Sequence, residues 1–223
     1  MIDMWLNGTP LEDYGGRLVR DYTYIPPVLS PAVYKGRFRS SFILLDNPVD
    51  FGELDIQIVF EGEGYTEVTI KKSTFDAAIL GKNVIVMGDG FWYDTYTEEL
   101  GAATYPGTGL LECSYKLKAI RRGPDIEVTG NTIYCDSTWP TTDCILTTTV
   151  STAADSYEIE GVIFADVDPG DVLTVDGING RILVNGAPNA QKATWTRFPS
   201  LSPGKNSLTC PDTLKVQYHP VYL

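Results

Sequence analysis

Apolar and polar residues alternate along much of this chain. Leu54, Ile56 and Ile58 alternate with Asp55 and Gln57 and lead to Phe60. Thr66-Glu67-Val68-Thr69-Ile70 repeats the period after the turn Glu61-Gly62-Glu63-Gly64, and Leu111, Cys113, Tyr115, Leu117 and Ala119 form a longer row. A period of two predicts strands with one buried face. Asn7-Gly8, Gly88-Asp89-Gly90, Asn179-Gly180 and Asn185-Gly186 supply turns, because Asn and Gly tolerate positive φ. One segment reads as a helix of about two turns, Ser73 to Leu80, with a Ser, an acid three residues later and Gly81 after its end. Residues 98–103 form a weaker helical candidate.

The texture changes between residues 123 and 143. Arg121-Arg122-Gly123-Pro124 closes a long strand, and Thr129-Gly130-Asn131 and Asp136-Ser137-Thr138-Trp139-Pro140 are rich in turn formers. Short β segments follow at 145–151, 157–164, 171–175, 181–184, 206–210 and 213–218. Their even spacing predicts an antiparallel sandwich. The expected division is 1–133 and 134–223.

The 223 residues suffice for one large β domain or two small ones. Net charge is −12, with acids in excess in both halves. There is no basic stripe of the kind phosphate-backbone binding needs, so specific nucleic-acid binding is not expected. An acidic surface suits a passage through which DNA slides, because like charge prevents sticking. No apolar run approaches the roughly 18 residues of a spanning helix, and membrane insertion is not expected. Met1-Ile2-Asp3-Met4-Trp5 is not a basic region leading into an apolar stretch, which points to folding in a cytosol. Cys113, Cys135, Cys144 and Cys210 form no CxxC pair. They read as free buried thiols, with a Cys135–Cys144 bridge as the alternative.

Little in the chain suggests catalysis. A serine or cysteine triad needs a well-placed histidine, and His219 is the only one, set before Pro220 near the C-terminus. There is no GxxxxGK[ST] phosphate loop. Asp166-Val167-Asp168-Pro169-Gly170-Asp171 offers hard oxygens but lacks EF-hand spacing, and reads as a Pro-Gly turn. No metal or other cofactor is expected. The aromatic run Phe91-Trp92-Tyr93, with Tyr96, follows a Gly-Asp-Gly hairpin; on a strand, Trp92 faces away from its two neighbours. Exposed aromatics anchor interfaces or stack on sugars.

The stretch Arg197 to Cys210, "RFPSLSPGKNSLTC", sets Phe198 and Leu201 among turn formers. Ser202-Pro203-Gly204-Lys205 has type II turn chemistry, and Asn206 is placed to bond its own backbone. Phe198 and Leu201 then read as plugs under a crossing loop. Together with "RILVNGAPN" before it and "LKVQYHPVYL" after it, this element resembles the C-terminal part of the distal tail (Dit) proteins of long-tailed bacteriophages. The match is carried by Asn185, Gly186, Phe198, Pro199, Leu201, Pro203, Gly204 and Asn206. "MWLNGTPLEDYGGRLV" is similar to tail-protein openings. The nearest equivalent of the family's Val-Pro-Gly-Arg-Asp-Gly type loop is Pro31 to Arg37, which departs from it.

The resemblance implies a mainly β, two-domain protein without enzymatic activity. Its N-terminal domain would be sandwich-like and ring-forming, with a short helix and hairpin; its C-terminal domain would be a galectin-like sandwich. The implied role is a hexameric hub in the virion tail tip, assembled in the host cytoplasm. It would join the tail tube to the host-adsorption apparatus, with the tube, tape-measure and receptor-binding proteins as partners. Extra apolar residues are then expected on the ring domain, with Tyr24, Pro26, Trp92 and Tyr93 as candidate contacts. The rivals are a carbohydrate-binding module using Trp92 or Trp139 on a host saccharide, and a glycan-degrading enzyme using two acids.

Overall fold

The structure is a computed structural model that describes residues 3–28, 32–34, 37, 43–46 and 49–223. Of the Pro31–Arg37 loop, Ala32–Tyr34 is a strand, while Pro31, Lys35 and Gly36 lie outside the described residues. The fold is mainly β, with antiparallel pairing throughout and one α-helix among the described residues. The chain divides into two compact units, Met1–Arg122 with Leu223, and Gly123–Tyr222. The sequence places the division at 133/134. The difference arises because Ile126–Thr129, before that point, and Thr132–Cys135, across it, pair with Lys215–Tyr218 and Gly204–Ser207.

The first unit is built on a sheet ordered Thr9–Pro10, Trp5–Leu6, Lys82–Val86, Trp92–Glu99, Leu110–Arg122, Gly52–Glu61, Gly16–Leu18. Ala103–Gly107 pairs with the first half of Leu110–Arg122, and Thr23–Ile25 pairs with Gly52–Glu61. The predicted alternation sets the faces. Leu54, Ile56, Ile58 and Phe60 point inward with Leu111, Cys113, Tyr115 and Leu117, their register partners lying side by side.

The layer over this face is a helix, Tyr65–Ile79, and here two expectations fail. The helix is nearly twice the predicted length, and it includes Thr66–Ile70, which alternation assigned to a strand. Side chains two apart on a helix point roughly 200° away from each other. Val68 is accordingly fully buried while Ile70 is 61% exposed. Val68, Phe75 and Ile79 make one apolar stripe against the sheet. The Glu67 carboxylate accepts the Glu63 amide at 2.8 Å, closing the first turn. Gly81, at φ +82°, turns the chain out as the sequence predicted.

The 98–103 helix does not form either. Trp92–Glu99 continues as strand, and a new strand begins at Ala103. Gly101 permits this, because a Cβ there would lie 2.3 Å from the Ser114 carbonyl oxygen.

The second unit is a sandwich. One sheet runs Ile126–Thr129, Lys215–Tyr218, Thr142–Thr149, Val172–Asp176, Arg181–Val184, Ala187–Pro188. Facing it are Ala154–Ile159, Val162–Val167 and Ala193–Thr194. Leu146, Leu173, Val175 and Val216 from the first meet Tyr157, Ile159, Val162 and Phe164 from the second. The segment read as one strand over 157–164 is a hairpin, because Glu160 and Gly161 both take positive φ.

The 197–210 element is structural, with a change of emphasis. Leu201 is fully buried, whereas Phe198 is only half-buried, its ring 5.9 Å from Trp195. Gly204 has φ +88°, and the Asn206 amide donates to the Ser202 and Gly204 carbonyls.

All four cysteines are free. Burial pushes the Cys144 thiol up to about 12. Cys210 is half-buried, with Sγ 3.6 Å from the Tyr157 hydroxyl. An aromatic disulfide reagent is therefore expected to label Cys210 first in the native protein. Cys113, Cys135 and Cys144 should react only as the protein unfolds. Four thiols reacting at one rate in native buffer would contradict this packing.

Candidate interaction surface

Four strands and a hairpin turn build an aromatic and arginine cluster in the first unit. Tyr93 faces the core from Trp92–Glu99 and is 1% exposed. Its hydroxyl and that of Tyr22 both donate to the Asp89 carboxylate, Tyr93 at 2.9 Å. Burial alone would raise the Asp89 carboxyl, but these donors and the Phe91 amide outweigh it and hold it below the usual carboxylate range. Burial first, then the hydrogen bonds to Tyr22 and Asp89, pushes the Tyr93 phenol well up. Both phenols therefore keep their protons near neutral pH.

Tyr24 stacks in the same cluster, between the Tyr93 ring at 5.5 Å and the Arg121 guanidinium at 4.8 Å. Arg121 also lies 5.1 Å from the Phe91 ring centre. Gly52 leaves the room, since a Cβ there would sit 2.7 Å from the Tyr24 hydroxyl. Trp92 is on the opposite sheet face, under the Arg122 guanidinium at 4.5 Å, and Arg122 is held in turn by Asp94 at 3.1 Å.

Of the residues singled out from sequence, the fold thus brings Tyr24 and Tyr93 together and sets Trp92 apart. Pro26 is exposed, just beyond the strand Thr23–Ile25. Tyr93 is core, so its side chain is not presented to a partner. The Thr23–Ile25 strand is paired within the sheet, Thr23, Tyr24 and Ile25 opposite Asp55, Leu54 and Glu53.

Exposed apolar residues remain on both sides of the first unit's sheet, most of them not singled out from sequence. On the sheet face away from the helix lie Ile25, Phe51 and Tyr96, 42%, 39% and 37% exposed, with the Phe51 and Tyr96 rings edge-to-face at 5.2 Å. On the helix side lie Tyr65, Ile70 and Tyr105. Tyr65 and Tyr105 pack edge-to-face at 5.5 Å, and the Tyr105 hydroxyl is 3.0 Å from Thr69 Oγ1. Tyr96 carried a signal, being in phase with Trp92. Tyr65 and Tyr105 meet only through the fold.

His219 Nδ1 lies 3.0 Å from Asp125 Oδ1 at the surface of the second unit. Among the described residues, no three of His, Cys, Asp and Glu converge as metal ligands.

Residues 136–222 match the family described as siphovirus-type tail component, C-terminal domain. No curated protein matches by sequence. Among solved structures, the Dit protein of phage SPP1 superposes with a TM-score of 0.71 at 13% identity, covering 100% of both chains. It is described as a paradigm of the hub adsorption apparatus in phages infecting Gram-positive bacteria. A chain of the phage P2 baseplate, in its activated conformation with calcium, gives a TM-score of 0.56 at 6% identity, covering 99% of this chain and 98% of that one. The resemblance read from the 181–222 motifs and the family match thus fall on the same residues.

Proposed function

We propose that this chain, whose residues 136–222 are a siphovirus-type tail component domain, is a distal tail protein: a structural hub subunit of the virion tail tip. The first unit serves as the ring-forming domain, and the second as an outer galectin-like sandwich. The ring is hexameric, assembled in the host cytoplasm from tail components. It joins the tail tube, with its tape-measure protein, to the receptor-binding apparatus.

One observation carries the ring. A closed cyclic assembly is built from one heterologous contact, so each subunit needs two different surfaces. The first unit has an exposed aromatic pair on each side of its sheet, Phe51 with Tyr96 and Tyr65 with Tyr105. Neither is required by the core beneath it. A lectin role finds less support at Trp92, because Arg122 already covers a face of that indole.

Electron microscopy of the protein mixed with its neighbouring tail proteins is expected to show sixfold rings. Tyr96→Glu or Tyr65→Glu alone should abolish them, while Trp92→Ala and Tyr24→Ala weaken them less. Rings that persist in both charge variants would remove these pairs from the contact. No ring with any tail partner, together with tight glycan binding by the monomer, would replace the hub with a lectin.

A further inference from the structure

The first unit carries a hairpin that its own core does not cover. Among the described residues, Ala32–Tyr34 pairs with Ile43–Asp46 and with no other strand. Val33 and Tyr34 point to opposite faces of their strand, yet they are 51% and 57% exposed, and Val28 before them is 68% exposed. A lone two-stranded hairpin is marginally stable in water, so a cover from elsewhere is expected. The run around it is basic: residues 22–45 hold Lys35, Arg37 and Arg39 and no acid, in a chain of net charge −12.

The same unit holds a pocket of the opposite character. Its volume is about 240 Å³, and its lining includes the buried Met4 and Leu11, the half-buried Trp5, and the exposed Asp3 and Glu12. Ligand pockets run to roughly 300–1,000 Å³, so this one suits a single side chain. Arg17 also lines it, but its guanidinium is engaged by Glu61 at 2.6 Å, which leaves the acids to set the charge. The sequence around the pocket agrees, since residues 1–16 hold Asp3, Glu12 and Asp13 and no cation.

Hairpin and pocket match in shape and in charge. A tyrosine offers an apolar body for the pocket and a hydroxyl for its wet rim. A basic surface meeting an acidic one fixes the register of a contact and disfavours wrong partners. We propose that the hairpin built on Ala32–Tyr34 docks on a second copy of this chain, with Tyr34 in the pocket of Met4, Trp5 and Leu11 and Arg37 against Asp3 and Glu12. Hairpin and pocket are different surfaces of one subunit, as a head-to-tail contact requires. The proposal rests on the ring reading for bringing copies together, and it adds a contact separate from the Phe51 and Tyr65 pairs.

The test is photo-crosslinking of the full chain with benzoylphenylalanine in place of Tyr34. Equal amounts of ¹⁴N and ¹⁵N chains are mixed with the neighbouring tail proteins, irradiated, and the joined peptides read by mass spectrometry. Peptide pairs of mixed isotope should link position 34 to the 4–12 region, with a yield that falls as salt rises. Arg37→Glu or Glu12→Arg alone should lower that yield about tenfold, and the two together should restore it. Pairs of one isotope only, which mean a hairpin folded back on its own chain, would overturn the proposal. So would links to a tail partner or to another surface, no links at all, or a double variant no better than either single one. Sixfold rings with the link elsewhere would keep the hub and discard this contact. Mixed links at the pocket without any ring would keep the contact and discard the hub.

Discussion

Phe75→Ala is expected to destabilise the first unit by about 3–5 kcal/mol, the range for emptying a large aromatic site. Phe75 is fully buried where helix and sheet meet. Its ring touches Tyr115 at 5.3 Å, Tyr14 at 5.5 Å and Phe60 at 5.9 Å, so the cavity would open among three rings that cannot easily collapse into it. The loss would extend to a polar contact. Asp76, next in sequence, accepts the Tyr115 hydroxyl at 2.7 Å and pairs with Lys72 at 2.5 Å. Hydrogen exchange of the Gly52–Glu61 and Leu110–Arg122 amides against urea would measure the effect. A loss under about 1 kcal/mol would mean that the helix is not the principal cover of this sheet face.

The second large effect lies in the 197–210 element, where the sequence reads Phe198 and Leu201 alike as plugs and the structure separates them. Leu201→Ala is expected to cost about 2–5 kcal/mol, because the side chain is fully buried in the sandwich core. Leu201 is also tied in by its backbone, pairing with Thr142. Phe198→Ala should cost only about 1–2 kcal/mol, since the half-buried ring already gives up part of its transfer energy to water. Urea midpoints of the two variants, compared at unchanged slope, decide the order. If Phe198→Ala proves the more costly, Phe198 is the plug and Leu201 the auxiliary.

The sheets were legible because a strand's two faces differ by a single step in sequence. The period at Leu54–Ile58 and at Leu111–Ala119 therefore named the buried residues correctly. Turns were legible for a local reason too: Asn7, Asn185 and the glycines after them adopt the positive φ that their chemistry favours. The helix was misread where the two periods overlap. Val68 and Ile70 fit an alternating pattern, and only the sheet beneath Val68, Phe75 and Ile79 selects the helical one.

The candidate surface was less legible than the fold. Tyr24, Pro26, Trp92 and Tyr93 were singled out as apolar residues beyond the needs of the core, but residue type does not reveal exposure. Tyr93 proves to be core, held there by Asp89, while Phe51 and Tyr96 are the pair left outside.

By itself, the sequence determined the β class, the inward rows of most strands and the tight turns, and it carried the resemblance to tail proteins at 181–222. These depend on spacing within about ten residues. The tertiary structure alone decided that residues 65–79 are helical, that Tyr65 meets Tyr105, and that Phe51 meets Tyr96. Each of these depends on which distant strand lies alongside. Strand pairing is set by burial summed over whole faces, and no local pattern encodes that sum.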